Sequence, residues 1–472
     1  MTSSRYPMLS MTGHFLRARY DRRFLPEPGI WDRLRGRLSE LVRFAKLNSP
    51  LYADLYSQVD PDDFRLEDLP PLTKEAMMER FDDSLTVRDL TYAQVREFVD
   101  DHSKVGSLIN GRYMVAHTSG TSGTRGYFVN TLDEWRQSVA LSMVPPSNPR
   151  YGPLLDQVLS IPIRPFRRWR AITIIATHGH YASPLAYVFS PRFKDYLVDI
   201  RMVDLFTPLD ELVRFIDEFK PLWIHSYPSV LLALAQEAQA GRLKHRLRIV
   251  YGASEPFPNS SKELMQQVWP NVQIDELYGT TEVLPIAKPC EHGHLHWNCD
   301  WTIIEPVDEQ GEPTPVGEFS HKVYATNLIN RTQPVIRYEI GDSLRILPDP
   351  CQCGSALPAI EVKGRSNDSL VYERRAGGQG RLLPLSVIAT FLEIQGLRQY
   401  RVMQTAPQLI EIEFIAEQQD DAARLDTQCR EAMLRLLQLE GAAEEIQVEV
   451  RQVESIERDR YSGKFKQVQR LF

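Results

Sequence analysis

Apolar positions recur along this chain with two different periods. Near the start, Trp31, Leu34, Leu38, Leu41 and Ala45 are spaced by three and four, which places them on one face of a helix. Asn48-Ser49-Pro50 then stops that helix. Further on, short continuous apolar runs alternate with amphipathic stretches. Ala171 to Thr177, Leu222 to Tyr227 and Leu247 to Gly252 read as buried strands. Leu209 to Phe219, ending before Pro221, and Val230 to Ala238 read as helices between them. Such alternation predicts a largely parallel sheet covered on both faces, with its working loops at the carboxyl ends of the strands. Those loops are His178-Gly179-His180, Tyr227-Pro228-Ser229 and Gly252-Ala253-Ser254.

From Asp300 to Leu347 the pattern shifts to Thr, Val, Ile, Pro and Gly with hairpin punctuation, which predicts a β-rich subdomain. A boundary is expected near Gly364-Arg365. Beyond it Ile410, Ile412 and Phe414 alternate with acids, Thr427 to Leu439 has helical spacing, and Ile446 to Val450 reads as a strand. The expected fold class is α/β. A large N-terminal domain, 1–363, combines mostly parallel sheets, helices and a β-rich, cysteine-bearing region at about 290–355; a small mobile α+β domain, 364–472, follows.

Length and charge narrow the picture. At 472 residues the chain is too long for one core. A net charge of −7 gives no footprint for nucleic acid, and no apolar run is long enough to span a bilayer. The first residues lack an apolar leader segment, so a cytoplasmic protein with no nucleic-acid or membrane partner is expected. Of five cysteines, Cys290, Cys299, Cys351 and Cys353 crowd into one third of the chain. An odd count in a reducing compartment argues against a disulfide framework.

Four short motifs carry candidate chemistry: HTSGTSGTRG from His117 to Gly126, YGTTE from Tyr278 to Glu282, RYEIGD from Arg337 to Asp342, and SGK from Ser462 to Lys464. A loop of hydroxylated residues and glycines wraps phosphate with N–H groups and hydroxyls, and a guanidinium such as Arg125 suits phosphate oxygens. The loop lacks the GK[ST] ending of a P-loop. Glu282 offers the hard oxygen that Mg²⁺ prefers, and Asp342, after a glycine, can accept both hydroxyls of a ribose.

In that order and spacing, the motifs resemble the adenylate-forming superfamily of acyl- and aryl-CoA ligases, luciferase-like enzymes and nonribosomal peptide adenylation domains. The resemblance spans about nine tenths of the chain and is strongest to the phenylacetate–CoA ligase and capsule-biosynthesis branch. It implies a two-step reaction in which ATP activates a carboxylic acid as an acyl-adenylate and the thiol of coenzyme A then displaces AMP. A carrier-protein thiol, an amine or a hydroxyl is the alternative acceptor, and a non-catalytic nucleotide-binding relative is the alternative class. A homodimer is one assembly compatible with the chain.

Residue by residue, the resemblance puts the phosphate loop on Thr118, Ser119, Gly120, Thr121, Ser122, Gly123, Thr124 and Arg125. It puts the adenine-contacting strand end on Gly252, Ala253, Ser254 and Glu255. Tyr278, Gly279 and Thr280 lead to Thr281 near the α-phosphate and Glu282 on magnesium. Asp342 is the ribose aspartate, and Gly364-Arg365-Ser366-Asn367-Asp368 is the interdomain hinge, with Asn367 where the family has aspartate. Lys464 is the adenylating lysine, with Lys466 second. A lysine bridging carboxylate and α-phosphate relieves the repulsion between two anions. Substrate candidates are His178, Tyr227 and Ser254, with His180 and Tyr181 beside them, a lining that suits an aryl or medium-sized acyl acid.

The clustered cysteines suggest structural zinc, since three cysteines and one histidine form a known closed set. Cys290, His296, Cys351 and Cys353 are the favoured ligands. His292 and His294 compete for the histidine place, and Cys299 for one of the cysteines.

Overall fold

The computed structural model describes residues 7–24, 27–118, 125–146, 169–177, 179–189, 198–255, 257–365, 369–373, 375, 379–382, 384–391, 394–418, 421–439, 441–442, 446–457 and 465–472. Two helices open it, Pro7–Phe24 and Glu27–Asn48. The second buries Leu34, Leu38, Leu41 and Ala45, the face set by the three–four spacing. Past Asn48 the chain enters a short helix, Pro50–Leu55. Ser49 caps it by accepting the Tyr52 N–H, and Pro50 sits where no donor is needed. The first helix has no clean apolar stripe and is not legible as a pattern. Polar contacts help hold it: Arg22 donates to Asn298 Oδ1 at 2.9 Å and to the Val144 carbonyl at 3.0 Å, and pairs with Asp300.

Strands β1 (Tyr113–His117) and β2 (Tyr127–Thr131) form an antiparallel hairpin around the Ser/Thr/Gly loop. β3 (Trp169–Ile175), β4 (Val198–Asp204), β5 (Trp223–Ser226), β6 (Ile249–Ala253) and β7 (Gln273–Leu277) form a parallel sheet in the order β4-β3-β5-β6-β7. Ala171 to Ile175 is buried without interruption, which is why this strand reads as a run and not as an alternation. The helices Leu209–Phe219, Pro228–Gln239 and Asn259–Val268 pack Leu212, Ile216, Leu231, Leu234 and Met265 into one cluster with Ile172, Ile174, Ile224 and Val250. The first of these ends on Lys220 in the left-handed region, just before Pro221. β4 is half exposed and carries no long apolar run, so its sequence does not announce it.

The β-rich region starts earlier and ends later than its composition predicts. β8 (Ala287–Pro289), β9 (Leu295–Trp297), β10 (Thr302–Val307), β11 (Lys322–Asn327), β12 (Val335–Ile340), β13 (Asp342–Ile346) and β14 (Ala359–Arg365) build two antiparallel sheets, β10-β11-β12 and β13-β14-β9-β8.

The last quarter contains β15 (Leu370–Glu373), β16 (Gln379–Leu382), β17 (Leu397–Ala406), β18 (Leu409–Ala416), β19 (Gln447–Gln452) and β20 (Val468–Arg470), with helices Pro384–Phe391 and Ala422–Leu439. The second helix begins at Ala422, ahead of the predicted Thr427. Its Leu425 and Met433 join Val402, Ile410, Ile412 and Phe414 in an apolar cluster drawn from residues after 369. Glu413, an acid of the alternating stretch, is buried, neutralised by Arg401 and Arg451. No described helix is long and apolar enough to cross a membrane.

Candidate active site and a thiol–imidazole cluster

The β1–β2 hairpin presents the Ser/Thr/Gly loop on a closed stem. Thr118 N–H donates to the Gly126 carbonyl and Thr118 Oγ1 accepts the Gly126 N–H, both at 2.9 Å. The loop's own Ser119, Gly120, Thr121, Ser122, Gly123 and Thr124 lie outside the described residues. Arg125, at the loop's end, stands 3.6 Å from Asp100. His117 braces the stem from below, a role that its position just ahead of the loop could have signalled. Its Nδ1–H donates to the Thr118 carbonyl at 2.9 Å and its ring lies 4.5 Å from that of Tyr181. Burial lowers the His117 pKa to about 4, so the imidazole is neutral at pH 7. The main-chain N–H of His117 donates to the His180 carbonyl at 2.9 Å, which fastens the loop after β3 to β1. His180 is fully buried against Phe98, and burial lowers its pKa too. His178 lies outside the described residues.

The carboxyl ends of β6 and β7 supply the next groups. Gly252 and Ala253 end β6; Ser254 follows in the left-handed region at φ 72°, which turns the chain sharply. Glu255 points back over that turn: Oε2 accepts the Ser229 N–H at 3.1 Å and Oε1 the Phe465 N–H at 2.9 Å. β7 runs into Tyr278, whose N–H donates to the Ala287 carbonyl at 3.0 Å. At Gly279 a Cβ would stand 2.6 Å from Leu284 Cδ1, so a side chain here would push the end of Leu284 aside. Thr280 and Val283 close the turn with two hydrogen bonds, at 2.9 and 3.1 Å. This leaves Thr281 half-buried and Glu282 buried, the Glu282 carbonyl held by Asn327 Nδ2 at 3.2 Å. Leu284 packs against the apolar cluster that contains Met114 and Ala116 of β1, so the turn shares a core with the β1–β2 hairpin.

Two distant motifs meet directly: the Tyr278 hydroxyl donates to Asp342 Oδ2 at 2.8 Å. Asp342 is buried, and in the β13–β14 ladder its register partner is Arg365. Gly364, beside it, has φ 103°, a conformation that favours glycine. Asn367, Asp368 and Lys464 lie outside the described residues, while Lys466 is described and half-buried. Arg337 of the same motif points elsewhere. It pairs with Glu305 at 2.9 Å and donates to the Leu69 carbonyl, bracing β12. Burial pushes Glu305 up to about 7 against the opposing pull of Arg337. Tyr227, expected to line a substrate pocket, is buried in the apolar cluster of the parallel sheet. As the last residue before a helix that buries Val230, Leu231 and Leu234, it is drawn into the core.

A second constellation lies in the β-rich region. The ligand atoms of Cys290, His296, Cys351 and Cys353 all lie within 4.8 Å of one another. Cys290 and Cys351 sulfurs are 3.7 Å apart, and Cys353 Sγ is 3.3 Å from His296 Nε2. His296 Nδ1 donates to the Leu357 carbonyl at 2.7 Å, which fixes the tautomer and turns the Nε2 lone pair toward the sulfurs. Burial pushes the Cys353 thiol up to about 12 and raises Cys290. The competing residues sit apart: His292 and His294 are exposed in the β8–β9 turn, and Cys299 is buried in the main apolar cluster.

An α/β fold with these motifs gathered at one end of its parallel sheet is thereby defined, and known proteins resemble it. Residues 198–319 match the family described as AMP-binding enzyme. The chain is 28% identical over 172 residues to the phenylacetate-coenzyme A ligase of Aromatoleum evansii, covering 34% of this chain and 38% of that relative. It is 24% identical over 353 residues to the phenylacetate-coenzyme A ligase of Escherichia coli (strain K12), covering 71% of each. Among solved structures, 2-hydroxyisobutyryl-CoA ligase with 2-HIB-AMP in the postadenylation state superposes with a TM-score of 0.67 at 18% identity, over 90% of this chain and 86% of that one. The same ligase with 2-HIB-AMP and CoA in the thioesterification state gives 0.55 at 20% identity, over 96% and 91%. The chain is thus similar to adenylate-forming CoA ligases and shares their fold.

Proposed function

We propose that this protein activates an aryl or acyl carboxylic acid with ATP and transfers the acyl group to coenzyme A. The observation that carries the reading is the 2.8 Å bond between Tyr278 and Asp342, which joins two motifs far apart in sequence beside the phosphate-loop hairpin. In the first step a carboxylate oxygen attacks the α-phosphorus of ATP, the bond to the bridging oxygen of the β-phosphate breaks, and pyrophosphate leaves. Main-chain N–H groups and hydroxyls of residues 118–125 hold the phosphates, Asp342 accepts the ribose hydroxyls, and Thr281 contacts the α-phosphate. Lys464, the adenylating lysine by the family resemblance, would relieve the repulsion between the two anions and stabilise the charge that builds on phosphorus. In the second step the thiol sulfur attacks the acyl carbon, the bond to the AMP oxygen breaks, and the thiol proton passes to water. Residues 364–472 act as a small domain that carries Lys464, with the hinge at 364–368.

Glu282 is the residue that would hold Mg²⁺: it offers a hard carboxylate oxygen on a turn packed beside β1. When bound, that ion neutralises charge on the departing pyrophosphate. Cys290, His296, Cys351 and Cys353 fit structural zinc, three soft sulfurs and one oriented imidazole in a closed set that leaves no place for substrate. The proposed use of ATP and coenzyme A fits an enzyme that works in the cytoplasm. The test is pyrophosphate release over a panel of aryl and short acyl acids, followed by addition of CoA. Acid-dependent release and a CoA thioester are expected; ATP binding with no release for any acid would leave only a nucleotide-binding relative.

A further inference from the structure

We infer that Glu255 is a positioning residue: its carboxylate clamps the segment just after Lys464 onto the amino end of the Pro228–Gln239 helix, a role distinct from the adenine contact that the family resemblance implies. One oxygen accepts the Phe465 N–H at 2.9 Å and the other the Ser229 N–H at 3.1 Å, from residues 210 and 26 positions away along the chain. Ser229 lies in the first turn of a twelve-residue helix, where an N–H has no partner within the helix and the helix dipole favours a negative charge. That helix end also follows β5 of the parallel sheet, so the clamp is anchored in the rigid part of the fold. The left-handed Ser254 folds the chain back and aims Glu255 at both donors. The Phe465 side chain is buried, a second hold on the same segment.

The consequence is geometric. A lysine on a long stem, carried by a chain end, reaches two anions productively only if its own main chain is held. Tying down the neighbouring amide removes that freedom, and because the donor is a main-chain group the hold does not depend on which side chain follows the lysine. The contact occurs in an arrangement that superposes better on the postadenylation state of a CoA ligase than on its thioesterification state, with TM-scores of 0.67 and 0.55. The inference rests on the proposed role of Lys464 in the first step, and it predicts that Glu255 serves that step alone.

The test compares wild type with Glu255→Ala and Glu255→Gln. Four quantities are read: the dissociation constant for ATP, acid-dependent pyrophosphate release at saturating ATP, consumption of supplied acyl-adenylate by CoA, and amide hydrogen exchange in the peptide spanning 464–472. Loss of hydrogen bonds to a charged acceptor predicts a fall of about tenfold to a hundredfold in pyrophosphate release for Glu255→Ala. ATP affinity and the CoA step should stay within about twofold of wild type, near the noise of such comparisons, and exchange at Phe465 should quicken. Gln keeps the volume but offers one accepting oxygen, so its loss should be smaller. Weakened ATP binding with unchanged exchange would make Glu255 a nucleotide contact and overturn the clamp. Equal loss in both steps would overturn it as well, in favour of general damage to the fold. If wild type released no pyrophosphate with any acid, the proposed function would fail, while the exchange comparison would still decide whether Glu255 holds Phe465.

Discussion

Replacing Cys353 with serine should cost metal and stability, not chemistry. Cys353 Sγ lies 3.3 Å from His296 Nε2, and the cluster joins positions 57 and 61 residues apart through the pairs His296–Cys353 and Cys290–Cys351. A cation bridging them closes a loop of that length. Treated as a covalent cross-link, such closure stabilises the fold by about 4 kcal/mol through lost freedom of the unfolded chain. For a domain of a few hundred residues that corresponds to roughly 5–10 °C in Tm. The assay is elemental analysis of the purified protein together with melting curves with and without a chelator. Wild type should carry zinc and lose stability on chelation. Cys353→Ser should carry little, melt lower and ignore the chelator, and His292→Ala, at an exposed position, should behave like wild type. A wild type that binds no zinc and melts at the same temperature with or without chelator would refute the reasoning.

Lys464→Ala should slow adenylate formation by orders of magnitude and spare the attack of CoA on supplied acyl-adenylate, measured as separate half-reactions; equal loss in both would contradict its role. Tyr278→Phe removes a bond to a charged acceptor that orients Asp342 and should raise the KM for ATP about tenfold, read from pyrophosphate-release kinetics; an unchanged KM would separate Asp342 from the nucleotide. Stability should fall as the pH drops from about 6.5 toward 4, followed by denaturant midpoints. His117 titrates at about 4 when folded and near 6.5 when unfolded, so the unfolded chain takes up the proton first. The contribution is present in full above pH 6.5, and by pH 4 about 3 kcal/mol of it is lost; a flat profile across that window would mean that His117 is not buried.

Much of the architecture was legible because its signals are local. Apolar spacing located the Glu27–Asn48 and Leu209–Phe219 helices and three strands of the parallel sheet, since a strand buried on both faces must be apolar throughout. The elements that escaped are those whose stability comes from elsewhere. The first helix uses Arg22 on distant acceptors, and β4 is a half-exposed edge. Tyr227 stands next to a proline turn, and only packing shows that it joins the apolar cluster of the parallel sheet.

The residue sequence by itself determined which chemical groups are available and in what order: a hydroxyl-rich loop, a Tyr-Gly-Thr-Thr-Glu turn, an aspartate after glycine, a late lysine, and a surplus of cysteine and histidine in one region. Tertiary structure alone decided who meets whom. It set the Tyr278 hydroxyl on Asp342, brought His296 rather than His292 or His294 beside the three cysteines, and gave the oxygens of Glu255 to the amides of Ser229 and Phe465. The physical reason is range. Backbone preference and apolar periodicity act over a few residues and are written in them, whereas a hydrogen bond or a ligand cluster depends on Å-scale distances between segments whose approach is set by the packing of everything between them.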